Sequence, residues 1–133
     1  MKNLIQTVID KGDFKTLVKA VQETGLADTL SFEGPFTIFA PTDQAFAKLP
    51  KRTIKKLLKN KEKLTEILTY HIILKTVKIT KVTNIKKENT ANGKELSINK
   101  KKGIKVDNAN IIKTDIQCTN GIIHVIDEVL IPK

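Results

Sequence analysis

Two histidines and one cysteine are the side chains best suited to chemistry, and their spacing decides whether they could act together. His71 and His124 stand 53 positions apart, and Cys118 is the single cysteine. A cysteine nucleophile needs a histidine base within hydrogen-bond reach and a group that orients it. If Asn120-Gly121 forms a two-residue hairpin turn, Cys118 pairs with Ile123 and His124 lies on the opposite face of the sheet. We therefore predict no catalytic residue, and a hydrolase-type enzyme is the weakest alternative.

A metal or cofactor site is not indicated by these residues. Two distant histidines and one cysteine do not make a ligand set, and one cysteine cannot form an intrachain disulfide. The sequence has no nucleophile elbow, no phosphate-cradling glycine loop and no close pair of carboxylates. We predict a domain that folds as a monomer on its apolar core, without metal, cofactor or disulfide.

Positive charge is concentrated in the second half of the chain. The formal net charge is +10, and Arg52 is the single arginine among 24 basic residues. Residues 1–50 carry a net charge of −1, and residues 51–133 carry +11. Such asymmetry can mark a surface that binds polyanions without specificity, or a solvated lysine-rich surface. Specific nucleic-acid recognition is not expected, because it depends on arginines and stacking aromatics, and aromatics are only 5% of the chain.

The length of 133 residues fits one domain over residues 1–133. No apolar run approaches the roughly 18 residues that a membrane-spanning helix needs, so no membrane span is predicted. The first residues show no secretion signal. Either the protein stays in the cell or a signal was removed.

Helical spacing of apolar residues dominates the first half, and strand signals dominate the second. Asp13, Thr42 and Asn60 are expected to cap helices, Gly25 to end one, and Pro50 to open one. The expected strand segments and turns are Phe36–Ala40, Tyr70–Leu74, Asn92-Gly93, Lys100–Gly103, Asn120-Gly121, Ile122–Ile126 and Val129–Ile131. Helices followed by antiparallel strands predict an α+β fold class.

Two segments resemble the hallmark blocks of fasciclin domains. The first is Thr37-Ile38-Phe39-Ala40-Pro41-Thr42-Asp43-Gln44-Ala45-Phe46. The second is Asn120-Gly121-Ile122-Ile123-His124-Val125-Ile126-Asp127, continued by Val129–Pro132. The resemblance extends from about Asn3 to Pro132. It implies a compact wedge or sandwich of about seven mostly antiparallel strands, with N-terminal helices packed along one edge.

The resemblance also implies a role and a set of partner-binding residues. Fasciclin domains are secreted or surface-anchored modules of adhesion, so the expected partner is a cell-surface or matrix protein or a glycan. In periostin-like members, integrin contacts lie in a tyrosine–histidine pair and an aspartate–isoleucine pair. The matching residues here are Tyr70-His71 and Asp115-Ile116. The flanks of the second pair, Lys113-Thr114 and Gln117, depart from the animal motifs.

A structural role is the alternative for each of these polar side chains. His71 and His124 lie among aliphatic residues, where a neutral imidazole with a bonded nitrogen is tolerated. Ile116 belongs to an apolar ladder, with Asp115 at a strand end. Asp127 is expected to accept hydrogen bonds from nearby backbone amides, because a buried carboxylate otherwise costs several kcal/mol.

Overall fold

A computed structural model describes residues 2–75, 87–99, 105–107 and 109–130. These residues form six helices and seven strands. The helices are α1 (Leu4–Lys11), α2 (Lys15–Thr24), α3 (Leu26–Phe32), α4 (Asp43–Ala47), α5 (Lys51–Lys59) and α6 (Lys61–Tyr70). The strands are β1 (Phe36–Pro41), β2 (Ile72–Ile73), β3 (Lys87–Asn89), β4 (Glu95–Asn99), β5 (Lys105–Val106), β6 (Ala109–Cys118) and β7 (Gly121–Ile126).

The strands join in one sheet with the order β2-β1-β7-β6-β5-β4-β3. Every neighbouring pair is antiparallel except β1 and β7, which run parallel with Thr37 beside Ile122 and Phe39 beside His124. The predicted α+β fold class, with about seven mostly antiparallel strands, is confirmed. The parallel pair places the two hallmark blocks side by side.

Both faces of the central strands are covered by apolar clusters. Ile123 and Val125 lie in the cluster that also contains the apolar side chains of the helices. Phe39 and Ile126 lie in a second cluster, which includes Leu96 of β4. Successive side chains of a strand point to opposite faces, so a strand between two cores must be apolar at nearly every position.

Several predicted helix ends are confirmed. Thr42 caps α4 by accepting a hydrogen bond from the Ala45 amide at 3.1 Å, and Asn60 caps α6 through the Lys63 amide at 3.2 Å. Gly25 ends α2 in the left-handed conformation, with φ of 76°. Local capping rules therefore work well where the partner is within the same helix.

The prediction that Asp13 caps α2 is wrong. Phe14 occupies the N-cap position and makes no side-chain capping bond. The carboxylate of Asp43, at the start of α4, instead accepts hydrogen bonds from the Lys15 amide at 3.2 Å and the Thr16 amide at 2.9 Å. The cap is a tertiary contact, so no rule of local spacing could find it.

Replacing Asp43 with alanine should lower the free energy of unfolding by about 1–2 kcal/mol, the usual cost of losing a helix cap. The matched change Asp13→Ala removes the same atoms from an exposed side chain and should cost less than about 0.5 kcal/mol. Urea unfolding of both variants measures the difference. Equal losses would mean that Asp43 does not stabilise α2.

Two further local predictions need correction. The segment Tyr70–Leu74 is not one strand, because α6 continues through Tyr70, His71 ends the helix, and only Ile72–Ile73 pairs with β1. The turn between β6 and β7 lies one residue earlier than expected. Cys118 pairs with Gly121 rather than with Ile123, and His124 still faces away from Cys118.

The remaining strand predictions have mixed outcomes. The hairpin at Asn92-Gly93 is confirmed, with β3 and β4 antiparallel and Asn89 beside Glu95. After Ile126 the chain leaves the sheet, although Leu130 is buried. The turn predicted at Lys100–Gly103 and the end of the apolar segment at Ile131 lie outside the described residues.

Candidate functional site

A cleft of about 230 Å³ opens between β6 and the ends of three helices. It is lined by Lys11, Asp13, Phe14, Thr42, Asp43, Gln44, Ile112, Lys113, Ile116 and Val125. Phe14 and Val125 belong to the buried core, whereas Ile112 is 53% exposed. The cleft therefore combines an apolar base with charged side chains of both signs at its margin.

Irregular pairing of β6 with β7 explains why Ile112 is exposed. Ile111 pairs with Ile126, Lys113 with Val125 and Ile116 with Ile123, with a register shift in each interval. Each shift inserts one extra residue into β6, which is the pattern of a β-bulge. Because a bulge changes the direction of side chains, Ile112 is turned to solvent while Ile116 packs partly onto the core.

The side chain of Tyr70 is held inside the protein by hydrogen bonds and is not exposed to solvent. Its side chain is buried, and its hydroxyl lies 2.6 Å from Asp107 Oδ2 and 3.1 Å from the carbonyl oxygen of Glu95. Asp107 in turn accepts a hydrogen bond from the Ser97 amide at 2.8 Å. Burial and the neighbouring Asp107 raise the pKa of Tyr70, so the hydroxyl remains protonated and ties the end of α6 to the far strands.

His71 is buried with both ring nitrogens bonded. Nδ1 donates to the carbonyl oxygen of Ile67 at 2.7 Å, and Nε2 accepts from the Leu130 amide at 2.9 Å. This arrangement requires the neutral ring with its proton on Nδ1. Burial lowers the pKa of His71 to about 4, although the bond to Ile67 and the charge of Asp107 act in the opposite direction.

The four predicted partner-binding residues are not brought together. Tyr70 lies in the second apolar cluster, whereas Ile116 packs against the first and lines the open cleft. The side chain of Asp115 lies outside the described part of the protein. A partner contact at these residues stays a prediction. Burial favours the structural alternative for Tyr70 and His71, and exposure of the cleft favours contact near Ile116.

Asn120, in the second hallmark block, makes three side-chain hydrogen bonds to distant backbone groups. Its Nδ2 donates to the carbonyl oxygens of Leu30 at 2.7 Å and Glu33 at 2.8 Å, and its Oδ1 accepts from the Leu4 amide at 3.0 Å. The sequence indicated only a turn here. The three partners come from the start of α1 and the end of α3, about a hundred residues away in the chain.

Two glycines allow the hallmark blocks to approach each other. A Cβ at Gly121 would overlap the backbone carbonyl oxygen of Phe36, and a Cβ at Gly34 would lie 2.6 Å from the carbonyl oxygen of Asn120. Gly34 also has a positive φ of 155°. Both contacts are with backbone, which cannot move aside, so a side chain at either position would push β1 and β7 apart.

Other family-motif residues of the two blocks lie in the protein interior or at the end of β1. Thr37, Phe39, Ala40, Phe46, His124 and Val125 are buried, and Pro41 ends β1 beside Ile126. The ring of His124 stacks at a tilt on Phe39, with centroids 5.7 Å apart.

Asp127 makes the backbone contact that the sequence predicted. Its Oδ1 accepts from the Asn110 amide at 2.7 Å, and its Oδ2 accepts from Asn110 Nδ2 at 3.0 Å. Burial alone would raise the pKa of Asp127, but the bonds from Asn110 and the charge of Lys48 outweigh it and lower the pKa. The expectation for Asp127 is confirmed.

Cys118 is placed for packing rather than reaction. The thiol is buried and lies 3.3 Å from the Thr7 hydroxyl, and burial raises its pKa. A raised pKa disfavours the thiolate, which is the reactive form. Within the described ranges, no group of three or more histidine, cysteine or acidic side chains could hold a metal ion.

The fold is a single-sheet α+β domain with helices packed on the sheet and an open cleft beside β6. The family model of the Fasciclin domain matches residues 12–132. The chain belongs to the fasciclin domain family.

Similar proteins include both bacterial and animal members. The chain is 41% identical to protein sll1735 of Synechocystis sp., over 98% of each chain. It is 34% identical to the cell surface glycolipoprotein MPB83 of Mycobacterium bovis, over 83% of this chain and 49% of that protein. It also resembles the solved FAS1 domain pair of the insect cell adhesion molecule fasciclin I. That match has a TM-score of 0.75 and 26% identity, and covers 91% of this chain and 46% of the pair.

Proposed function

We propose that this chain is a non-enzymatic adhesion module that acts outside the cell and binds a surface or matrix protein through the cleft beside Ile116. The observation that carries the proposal is the display of Ile112 by the bulged segment of β6. An exposed aliphatic side chain above an apolar base, with charged side chains around it, has the composition of a small protein-binding surface.

An extracellular location is supported by proteins similar to this chain. The names of similar proteins include a cell surface glycolipoprotein and a cell adhesion molecule. No helix in the described ranges is long and apolar enough to cross a membrane.

The placement of the two histidines and the cysteine supports a binding role over catalysis. Cys118 and His124 point to opposite faces of the sheet, and both nitrogens of His71 are occupied by backbone groups. The cleft itself contains no histidine or cysteine. Its charged groups can pair with a partner, and one of them, Asp43, already caps α2.

The substitution Ile112→Ser should weaken binding of the purified domain to surface extracts of the producing cells by about 5- to 30-fold. This range corresponds to the 1–2 kcal/mol typical of a substantial interface side chain. The matched control is Ile9→Ser on α1, because Ile9 is 51% exposed and does not line the cleft. Equal binding by both variants, at equal folded fraction, would contradict a contact at the cleft.

A further inference from the structure

The outer surface of α5 and α6 carries an unusual density of positive charge. We call it the basic helical surface, and its seven members are Lys51, Arg52, Lys55, Lys56, Lys59, Lys61 and Lys63. All seven are exposed, and only Glu62 and Glu66 oppose them on the same two helices. Within the described ranges, none of the seven forms an ion pair. Their charge is therefore available to a ligand.

The two helices hold these cations in a fixed arrangement. Lys51, Lys55 and Lys59 recur every four residues and so lie on one face of α5, roughly 6 Å apart along the axis. Leu57 is buried on the opposite side and anchors α5 to the core. Like charges at this spacing repel one another, and a bound polyanion relieves the repulsion.

A groove of about 620 Å³ runs between α5 and α6 within this surface. Its lining residues are Leu49, Thr53, Lys56, Leu57, Lys59, Asn60, Lys63 and Ile67. Leu57 and Ile67 are only 7% and 5% exposed. The groove therefore has three lysines, Lys56, Lys59 and Lys63, among its lining residues.

We propose that the basic helical surface binds a linear acidic polysaccharide, carboxylated or sulfated, laid along the groove. The proposal deepens the proposed extracellular role and rests on it, because such polysaccharides are found at cell surfaces and in matrices. The positively charged lysines attract the anionic group of each sugar unit. Lysine suits this task because its compact charge on a flexible stem contacts successive anions without a fixed bidentate geometry.

Two other polyanionic partners fit this surface less well. Nucleic acid is disfavoured because none of the seven members or the lining residues is aromatic, so bases have nothing to stack on. A membrane is disfavoured because the exposed large apolar side chains of the described residues are Ile9, Leu74 and Ile112, none of them on α5 or α6.

The test measures binding of the full chain to a size-defined heparin oligosaccharide, which is sulfated, and to an alginate oligosaccharide, which is only carboxylated. The triple variant Lys56→Gln/Lys59→Gln/Lys63→Gln removes the lysines at the groove. Lys15→Gln/Lys19→Gln/Lys87→Gln removes the same charge from exposed positions elsewhere. We expect at least about a tenfold loss of affinity at physiological salt for the groove variant and less than about twofold for the control. A preference for one oligosaccharide identifies the anion.

The same experiment includes measurements that can contradict the proposal. Equal losses in the two triple variants would show that net charge alone governs binding. Tighter binding to single-stranded DNA or to anionic phospholipid vesicles, at matched ionic strength, would assign the surface to another partner. The wild-type affinity should also fall steeply as salt is raised. Failure here leaves the role of the cleft intact, because the Ile112→Ser comparison tests that role with a different surface.

Discussion

Replacing Asn120 with alanine should lower the free energy of unfolding by about 3 kcal/mol and the melting temperature by about 10 °C. The side chain makes three hydrogen bonds to backbone groups of Leu4, Leu30 and Glu33. A net value of about 1 kcal/mol for each bond gives the total. Because these groups belong to α1 and the end of α3, the loss should loosen the N-terminal helices from the sheet.

The variant Asn120→Asp makes this prediction more stringent. It keeps the shape of the side chain but replaces the Nδ2 donor with an oxygen that faces the carbonyl oxygens of Leu30 and Glu33. We expect it to be at least as destabilising as alanine at neutral pH. The control is Asn60→Ala, where the lost bond is a local helix cap worth about 1 kcal/mol. If Asn120→Ala costs no more than this control in urea unfolding, the contacts of Asn120 are not a main support of the fold.

Acidification should destabilise the protein by about 3 kcal/mol through His71 alone. Burial lowers the pKa of His71 to about 4, against an ordinary value of 6.5 in the unfolded chain. Between these two values the unfolded chain binds a proton that the native protein does not. The stabilisation from the neutral ring is therefore fully present above about pH 6.5 and is lost as the pH falls to about 4.

The variant His71→Gln isolates this effect. Its free energy of unfolding at neutral pH should be several kcal/mol lower, because the amide of Leu130 and the carbonyl oxygen of Ile67 each lose a well-placed partner. The difference between wild type and variant should shrink as the pH falls from 6.5 to 4. Asp127, whose pKa is lowered from 3.8, acts below this window. If the variant does not fold, titration of His71 by NMR in the wild type gives the pKa, and a value near 6.5 would contradict the prediction.

The candidate site was only partly visible in the sequence. The predicted pair Asp115-Ile116 lies on the same strand as Ile112. The sequence does not indicate Ile112 itself, because its exposure depends on two bulges in β6. A bulge shifts the alternation of side chains by one residue, and an apolar run such as Ile111-Ile112 carries no mark of where this happens. Tyr70 and His71 were selected by resemblance, yet the structure buries both.

Features that depend on neighbouring residues could be predicted from the sequence. Gly25, Thr42 and Asn60 end or begin helices because their side chains or backbone angles act within one turn. The alternation and turn signals of the second half predicted strands, and the ordered blocks from Thr37 to Asp127 identified the family. Each of these signals involves residues close together in the sequence, or the order in which such segments follow one another.

Contacts between residues far apart in the sequence could be found only in the folded protein. Asp43 caps α2 in place of Asp13, and Asn120 bonds to both α1 and α3. The parallel pairing of β1 with β7 brings Gly121 against Phe36. In each case a backbone group needs a hydrogen-bond partner, or a close neighbour without a side chain. The topology of the chain determines which residue supplies it. The spacing of residues along the sequence does not show which distant residue makes each contact.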